Sequence, residues 1–186
     1  MKKILAGLLV SGALAFAGTY QLDSGHSKVG FKIKHLSITN VYGTFDKFDA
    51  NIVYDEKSKQ LKVLKSKVDV NSVNTQNEKR DAHLLESDYF DAKKHPNMSF
   101  ELIEINDDVL VANLTIKGIT KKVEFDYENN GIVKDPWGNT KLGFSLEAKI
   151  NRVDYGLKAN KLLDSGGLLL GEKVKISVDI EAKKVN

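Results

Sequence analysis

Apolar and charged residues alternate along almost the whole chain, and this restricts the fold more than any other feature. Across residues 141–150, Leu142, Phe144, Leu146, Ala148 and Ile150 alternate with Lys141, Ser145, Glu147 and Lys149. A period of two puts successive side chains on opposite faces of a strand, giving one apolar face and one wet face. The same pattern recurs at Val29-Phe31-Ile33, with His35 in phase, at Leu110-Ala112-Leu114-Ile116, at Val123-Phe125-Tyr127 and at Val174-Ile176-Val178-Ile180. Residues 41–54 read as one long strand whose phase changes between Phe45 and Phe48. Both can face inward only across a bulge near Asp46-Lys47. Residues 61–70 read as a strand with Leu61 and Val63 on one phase and Val68 and Val70 on the other. The runs at residues 55–58, 106–108 and 129–131 read as turns, and residues 134–138 as a loop.

About eight strands joined by short connections close most readily into an up-and-down antiparallel barrel, with a two-sheet sandwich as the alternative. A barrel of that strand number is wide enough to enclose one small ligand. Its inward aromatics, Phe31, Phe45, Phe48, Phe100, Phe125 and Phe144, suit either a filled core or the wall of an apolar cavity. Periodicity cannot separate the two.

Residues 71–100 break the alternation. Thr75-Gln76-Asn77-Glu78 has the form of a capping box, which predicts a helix starting at Thr75. Ser87-Asp88 can cap a second short turn, and Pro96 precedes a return to strand at Met98. The insert carries Arg80, Asp81 and His83. Three roles are open to them: an acid/base site, a grip on a polar head at a barrel mouth, or hydrogen bonds that tie the helix to the strands. Hydrogen bonding is favoured, because no catalytic spacing accompanies the cluster. His35, on the inward phase, is likewise either a satisfied buried histidine or a head-group contact.

Composition narrows the function. Lys2 and Lys3, an apolar run over residues 4–16 and Ala15-Phe16-Ala17 read as a secretory leader over residues 1–17, with an N-terminal anchor as the alternative. The domain then spans residues 18–186 and is expected in the periplasm. There is no cysteine, hence no disulfide and no thiol nucleophile. The 28 basic and 25 acidic residues are interspersed, which argues against a nucleic-acid footprint. His26, His35, His83 and His95 lack metal-ligand spacing, so no metal and no catalytic residue is assigned.

Particular residues also resemble a known family. Tyr20-Gln21-Leu22-Asp23 with His26, Ser27, Phe31 and His35 is similar to the opening of the YceI-like family. Val73-Asn74-Thr75, Arg80-Asp81, His83-Leu84, Asp88-Tyr89-Phe90-Asp91, Pro96 and Phe100 are similar to its central signature. Residues 114–120 and the run Ile150-Asn151-Arg152-Val153-Asp154-Tyr155-Gly156 are similar to two later elements. Asn74 departs from the pattern. The resemblance implies a lipocalin-like barrel that needs no cofactor and binds a polyisoprenoid or another long-chain lipid in an apolar channel. The contacts expected to hold it are Phe31, Ile33, His35, Phe45, Phe48, Arg80, His83, Phe100, Phe144, Leu146, Ile176 and Val178. Leu168-Leu169-Leu170 is expected to form an apolar lid or a lip touching a membrane. A transient membrane contact and a homodimer stay open, as does the alternative of an enzyme or stress factor acting on isoprenoids through Arg80, Asp81 and His83. A structural or adhesive domain with a filled core is the third class.

Overall fold

The computed structural model describes residues 17–159 and 169–185. The expected leader lies outside these residues, apart from Ala17, which opens the first strand. The strands are β1 (Ala17–Leu22), β2 (Lys28–His35), β3 (Thr39–Phe45), β4 (Phe48–Asp55), β5 (Gln60–Asp69), β6 (Val73–Asn74), β7 (Asn97–Asn106), β8 (Val109–Ile116), β9 (Ile119–Lys134), β10 (Thr140–Asn151) and β11 (Leu170–Lys184). One helix, α1 (Glu78–Leu84), lies between β6 and β7.

All pairings are antiparallel, and the segments form one sheet that closes on itself as an eight-stranded barrel. Three pairs of consecutive segments, β1/β2, β3/β4 and β5/β6, each make a single bent stave. β11 shows how closure works. One edge pairs with β10 from Lys173 to Lys183, and the other is shared by β2 and then β1. β2 pairs with β3 while β1 pairs with β4, and β5 and β6 follow in the same way. Closure leaves little free sheet edge among the described residues: the two-residue β6, last in the order, pairs only with β3.

The phase change between Phe45 and Phe48 is present as a break in the stave rather than a bulge in a continuous strand. Asp46 N–H donates to Ser72 O at 3.1 Å and Lys47 N–H to Ser72 Oγ at 2.9 Å. Ser72 belongs to a 3-10 turn, Val70–Ser72, that interrupts the neighbouring stave. The matched breaks bend the wall and leave both rings facing inward.

Three further expectations need correction. The Asn129-Asn130-Gly131 turn is a bulge inside β9. Gly143 faces Gly131 and Phe144 faces Asn129, so Asn130 is the extra residue. Gly131 takes φ 83°, and Asn129 Oδ1 accepts its N–H at 3.0 Å. In β5, Val63 is not in phase with Leu61. Val53 faces Val63 and Tyr54 faces Leu61, so Lys62 is skipped and Leu64 turns inward instead. The helix cap is Asn77, whose side chain accepts Arg80 N–H at 3.0 Å; Thr75 is buried and serves elsewhere. Ser87-Asp88 heads a series of turns, as expected.

The two ends of the barrel are filled differently. The β4–β5, β7–β8 and β9–β10 hairpins mark one end, where Tyr20, Ile52, Tyr54, Leu110, Leu142 and Phe144 are almost wholly buried. Tyr20 meets Tyr54 edge-on at 6.1 Å, and Tyr127 meets Phe144 at 6.2 Å. The opposite end carries the β2–β3 turn, α1, the β8–β9 turn and the stems of the β10–β11 connection. The interior widens there into a cavity.

Candidate functional site

That cavity has a volume of about 660 Å³, within the range of small-molecule pockets. Its wall is built by the alternation read from the sequence. Phe31, Ile33 and His35 of β2 line it, with Phe45 of β3 and Phe48 of β4. Phe100 of β7, Leu146 of β10, and Ile176 and Val178 of β11 complete the expected wall, while Arg80 and His83 stand at the mouth. Phe144 is the exception. It shares the inward phase of Leu146, but it lies in the packed end and does not border the cavity.

The aromatic side chains prop the cavity open. Phe31 and Phe45 are 5.7 Å apart, Phe45 meets Phe90 edge-on at 5.8 Å, and Phe100 meets Phe125 edge-on at 5.3 Å. The Phe31 ring lies across Gly43, its partner on β3, so closely that a Cβ built on Gly43 would sit 2.3 Å from it. Phe90 and Leu84, from the insert, close over the wall as half-buried apolar groups packed on the core.

The expected cluster of Arg80, Asp81 and His83 is divided between two tasks. Arg80 Nε–H donates to Thr75 Oγ1 at 2.7 Å and its Nη2 donates to Thr75 O at 2.7 Å. Asp81 Oδ1 accepts the Thr75 backbone N–H at 2.9 Å and the Thr75 hydroxyl at 2.5 Å. Thr75 directly follows β6, so this pair fastens the helix to the barrel. His83 turns away to Asp88, with Nε2 3.3 Å from Oδ2, and its ring meets the edge of Tyr89 at 4.9 Å.

Sequence reasoning missed Arg152 and Tyr155 as part of the site, although both were quoted in the resemblance. They sit in a 3-10 turn, Arg152–Tyr155, capped by Asn151. Arg152 is buried and borders the cavity. Its Nε–H donates to Gly171 O at 2.8 Å, Nη1 to Leu157 O and to Ala159 O at 3.1 Å, and Nη2 to Leu170 O at 3.4 Å. It thus grips both stems of the β10–β11 connection, and burial pushes its pKa down. Tyr155 is buried beside it. Burial, with Asp154 nearby, raises its phenol to about 12. Among the described residues the Tyr155 hydroxyl has no hydrogen-bond partner. Of the Leu168-Leu169-Leu170 run, Leu168 lies outside the described residues, while Leu169 and Leu170 border the cavity.

Among the described residues, one group has ligand spacing for a metal: Asp23, His26 and Glu181, whose ligand atoms lie within 4.8 Å of one another. The Lys141 ammonium already sits on both carboxylates, at 2.7 Å from Asp23 and 2.8 Å from Glu181. It supplies the positive charge that an ion would.

Comparison with known proteins agrees with this architecture. The family model for the YceI-like domain matches residues 20–182. A UPF0312 protein of Staphylococcus epidermidis is 40% identical over 165 residues, covering 87% of this chain and 95% of its own. The crystal structure of a Campylobacter jejuni YceI protein superposes with a TM-score of 0.70 at 36% identity, covering 90% of this chain and 98% of that one. A polyisoprenoid-binding domain from Saccharophagus degradans shares the fold, with a TM-score of 0.67 at 14% identity over 89% of this chain and 98% of its own.

Proposed function

This chain belongs to the YceI-like domain family, and from that premise we propose that it binds one long-chain amphiphile, a polyisoprenoid or a lipid of similar length, with the tail inside the barrel. One observation carries the reading: a cavity of about 660 Å³ lined chiefly by aliphatic and aromatic side chains, with Ser66 and Ser99 in its wall and Arg80, His83 and Asp88 at its mouth. The name of the Saccharophagus degradans domain points to the same ligand class. A tail burying several hundred Å² gains on the order of 10–20 kcal/mol gross, at about 25 cal/mol per Å². Lost motional freedom of chain and protein removes much of that. The surplus suffices for tight binding with no charged contact, so Arg80 and His83 serve to orient the head. Binding, carriage or storage of lipid needs no catalytic group. The hydrogen bonds that hold Arg80 and Asp81 to Thr75 suit a structural task.

The proposal includes residence in the periplasm after removal of residues 1–17. Cleavage there takes Ala17 from β1 but keeps the pairs from Gly18↔Tyr54 onward. Native mass spectrometry of protein taken from the periplasmic fraction tests both parts. The expected species lacks residues 1–17 and carries one lipid. Protein that stays lipid-free after gentle preparation, and takes up none from a polyprenyl or fatty-chain mixture, would sink the binding reading.

A further inference from the structure

The turn between β2 and β3 forms one side of the cavity mouth. His35, at its start, borders the cavity, and Leu36 N–H donates to Leu169 O at 2.9 Å. Leu36 and Ser37 both adopt left-handed backbone, with φ 52° and 62°. His35 pairs with Thr39, so the turn is the three residues 36–38, and left-handed positions in hairpin turns favour asparagine and glycine, because other side chains are strained there. The β8–β9 turn follows that preference, with Gly118 after Lys117. The strained turn holds Ile38 out at the tip, 81% exposed, where it contributes nothing to the core.

Behind this tip the outer wall is basic. Lys34 sits beside Gly171, and Lys32 pairs across the ladder with Lys175 of β11 and Tyr42 of β3. Lys175 is held by Glu147 at 2.7 Å, whereas Lys32 and Lys34 have no ion pair among the described residues. At about 3.3 Å per residue, Lys34 and Lys32 lie roughly 7 and 13 Å behind the tip. Tyr42, 64% exposed, shares the level of Lys32. An apolar point backed by cations and an exposed aromatic ring matches the depth profile of a bilayer surface: acyl boundary, phosphates, headgroups. The other strongly exposed apolar groups, Trp137 and Val133, belong to the β9–β10 hairpin at the opposite end of the barrel, away from the cavity mouth.

We propose that the β2–β3 lip docks on an anionic lipid bilayer, with Ile38 inserted and Lys32 and Lys34 at the phosphates, so that the cavity mouth opens against the membrane. This rests on the lipid-binding reading and adds the surface from which lipid is taken or to which it is given. The test is co-sedimentation of the whole mature protein with phosphatidylglycerol-containing vesicles and with pure phosphatidylcholine vesicles. Displacement of a fluorescent fatty-chain probe from the cavity is measured in parallel. Wild type is expected on the anionic vesicles and not on the neutral ones, and to come off as salt shortens the Debye length. Ile38→Asp should lower the vesicle-bound fraction about tenfold or more, and Lys32→Glu with Lys34→Glu more than about fivefold. None of these variants should change probe affinity, because these side chains do not border the cavity. Wild type that binds the probe yet ignores anionic vesicles overturns the proposal and leaves the lipid-cavity reading intact. Ile38→Asp protein that sediments like wild type overturns it too, as does vesicle-free self-association that Ile38→Asp abolishes. Loss of probe binding in wild type itself would count against the cavity reading, not the docking.

Discussion

Lys141 faces outward from β10, and its ammonium rests on Asp23 and Glu181, which brings the bend between β1 and β2 against β11. The hydrogen bond from Lys141 lowers the pKa of Asp23 from 3.8 to about 2; desolvation opposes it and His26 adds to it. A carboxyl held more acidic in the folded protein than in the unfolded chain contributes its stability above the unfolded value, and that contribution is lost as pH falls through the folded value. The gap in urea midpoint between wild type and Lys141→Met should therefore be widest near neutrality and narrow as pH drops from 3.8 to about 2. A gap that does not change with pH would assign the effect to packing of the lysine stem. No spacing rule connects Asp23, Lys141 and Glu181, which come from three separate parts of the chain. The pairing of β1, β10 and β11 alone brings them together.

Among the elements, the β2–β3 pair shows how a strand shapes the cavity. Phe31 can lie flat across β3 only because residue 43 has no side chain. Gly43→Ala would place a methyl group 2.3 Å from the Phe31 ring and 2.9 Å from Thr75 Cγ2, so the ring must swing into the cavity. Overpacking of this kind costs about 1–3 kcal/mol. The expected outcome is a matching drop in denaturation midpoint together with weaker uptake of a fatty-chain probe. An unchanged midpoint and unchanged uptake would show that the ring does not set the width of the cavity. The sequence reading placed Phe31 inward correctly, but gave Gly43 no part, because the close approach exists only once β3 lies beside β2. The insert was read with the same partial success. A helix was expected from Thr75 onward. Instead Asn77 caps it, since the Thr75 side chain and backbone are committed to Arg80 and Asp81.

At the scale of the whole molecule, the barrel is solid at one end and hollow at the other. Phe144 belongs to the solid end and Phe100 to the hollow one, though both were expected to hold ligand. Phe144→Ala should cost about 3–5 kcal/mol, the usual range for deleting a ring from a close-packed core. Phe100→Ala should cost less than half of that by rough expectation, since its ring already faces open volume and leaves no new sealed void. It should weaken lipid retention more than Phe144→Ala does at equal folded fraction. Equal losses of stability in the two variants, read from urea unfolding, would contradict the division.

The sequence by itself determined the strand class and, along most strands, which side chains point inward, because the period of two is a local property of each strand; it favoured a barrel but left a sandwich open. It could not determine whether those side chains meet. That depends on the distance across the barrel and on the partners brought from other staves: Tyr127 of β9 and Ile180 of β11 beside Phe144, but open space in front of Ile33, Phe100 and Val178. The same holds for Arg152, whose neighbours in the chain say nothing of the carbonyls of Leu170 and Gly171 that it grips. Local pattern fixes the direction of a side chain; only the folded sheet fixes what stands opposite it.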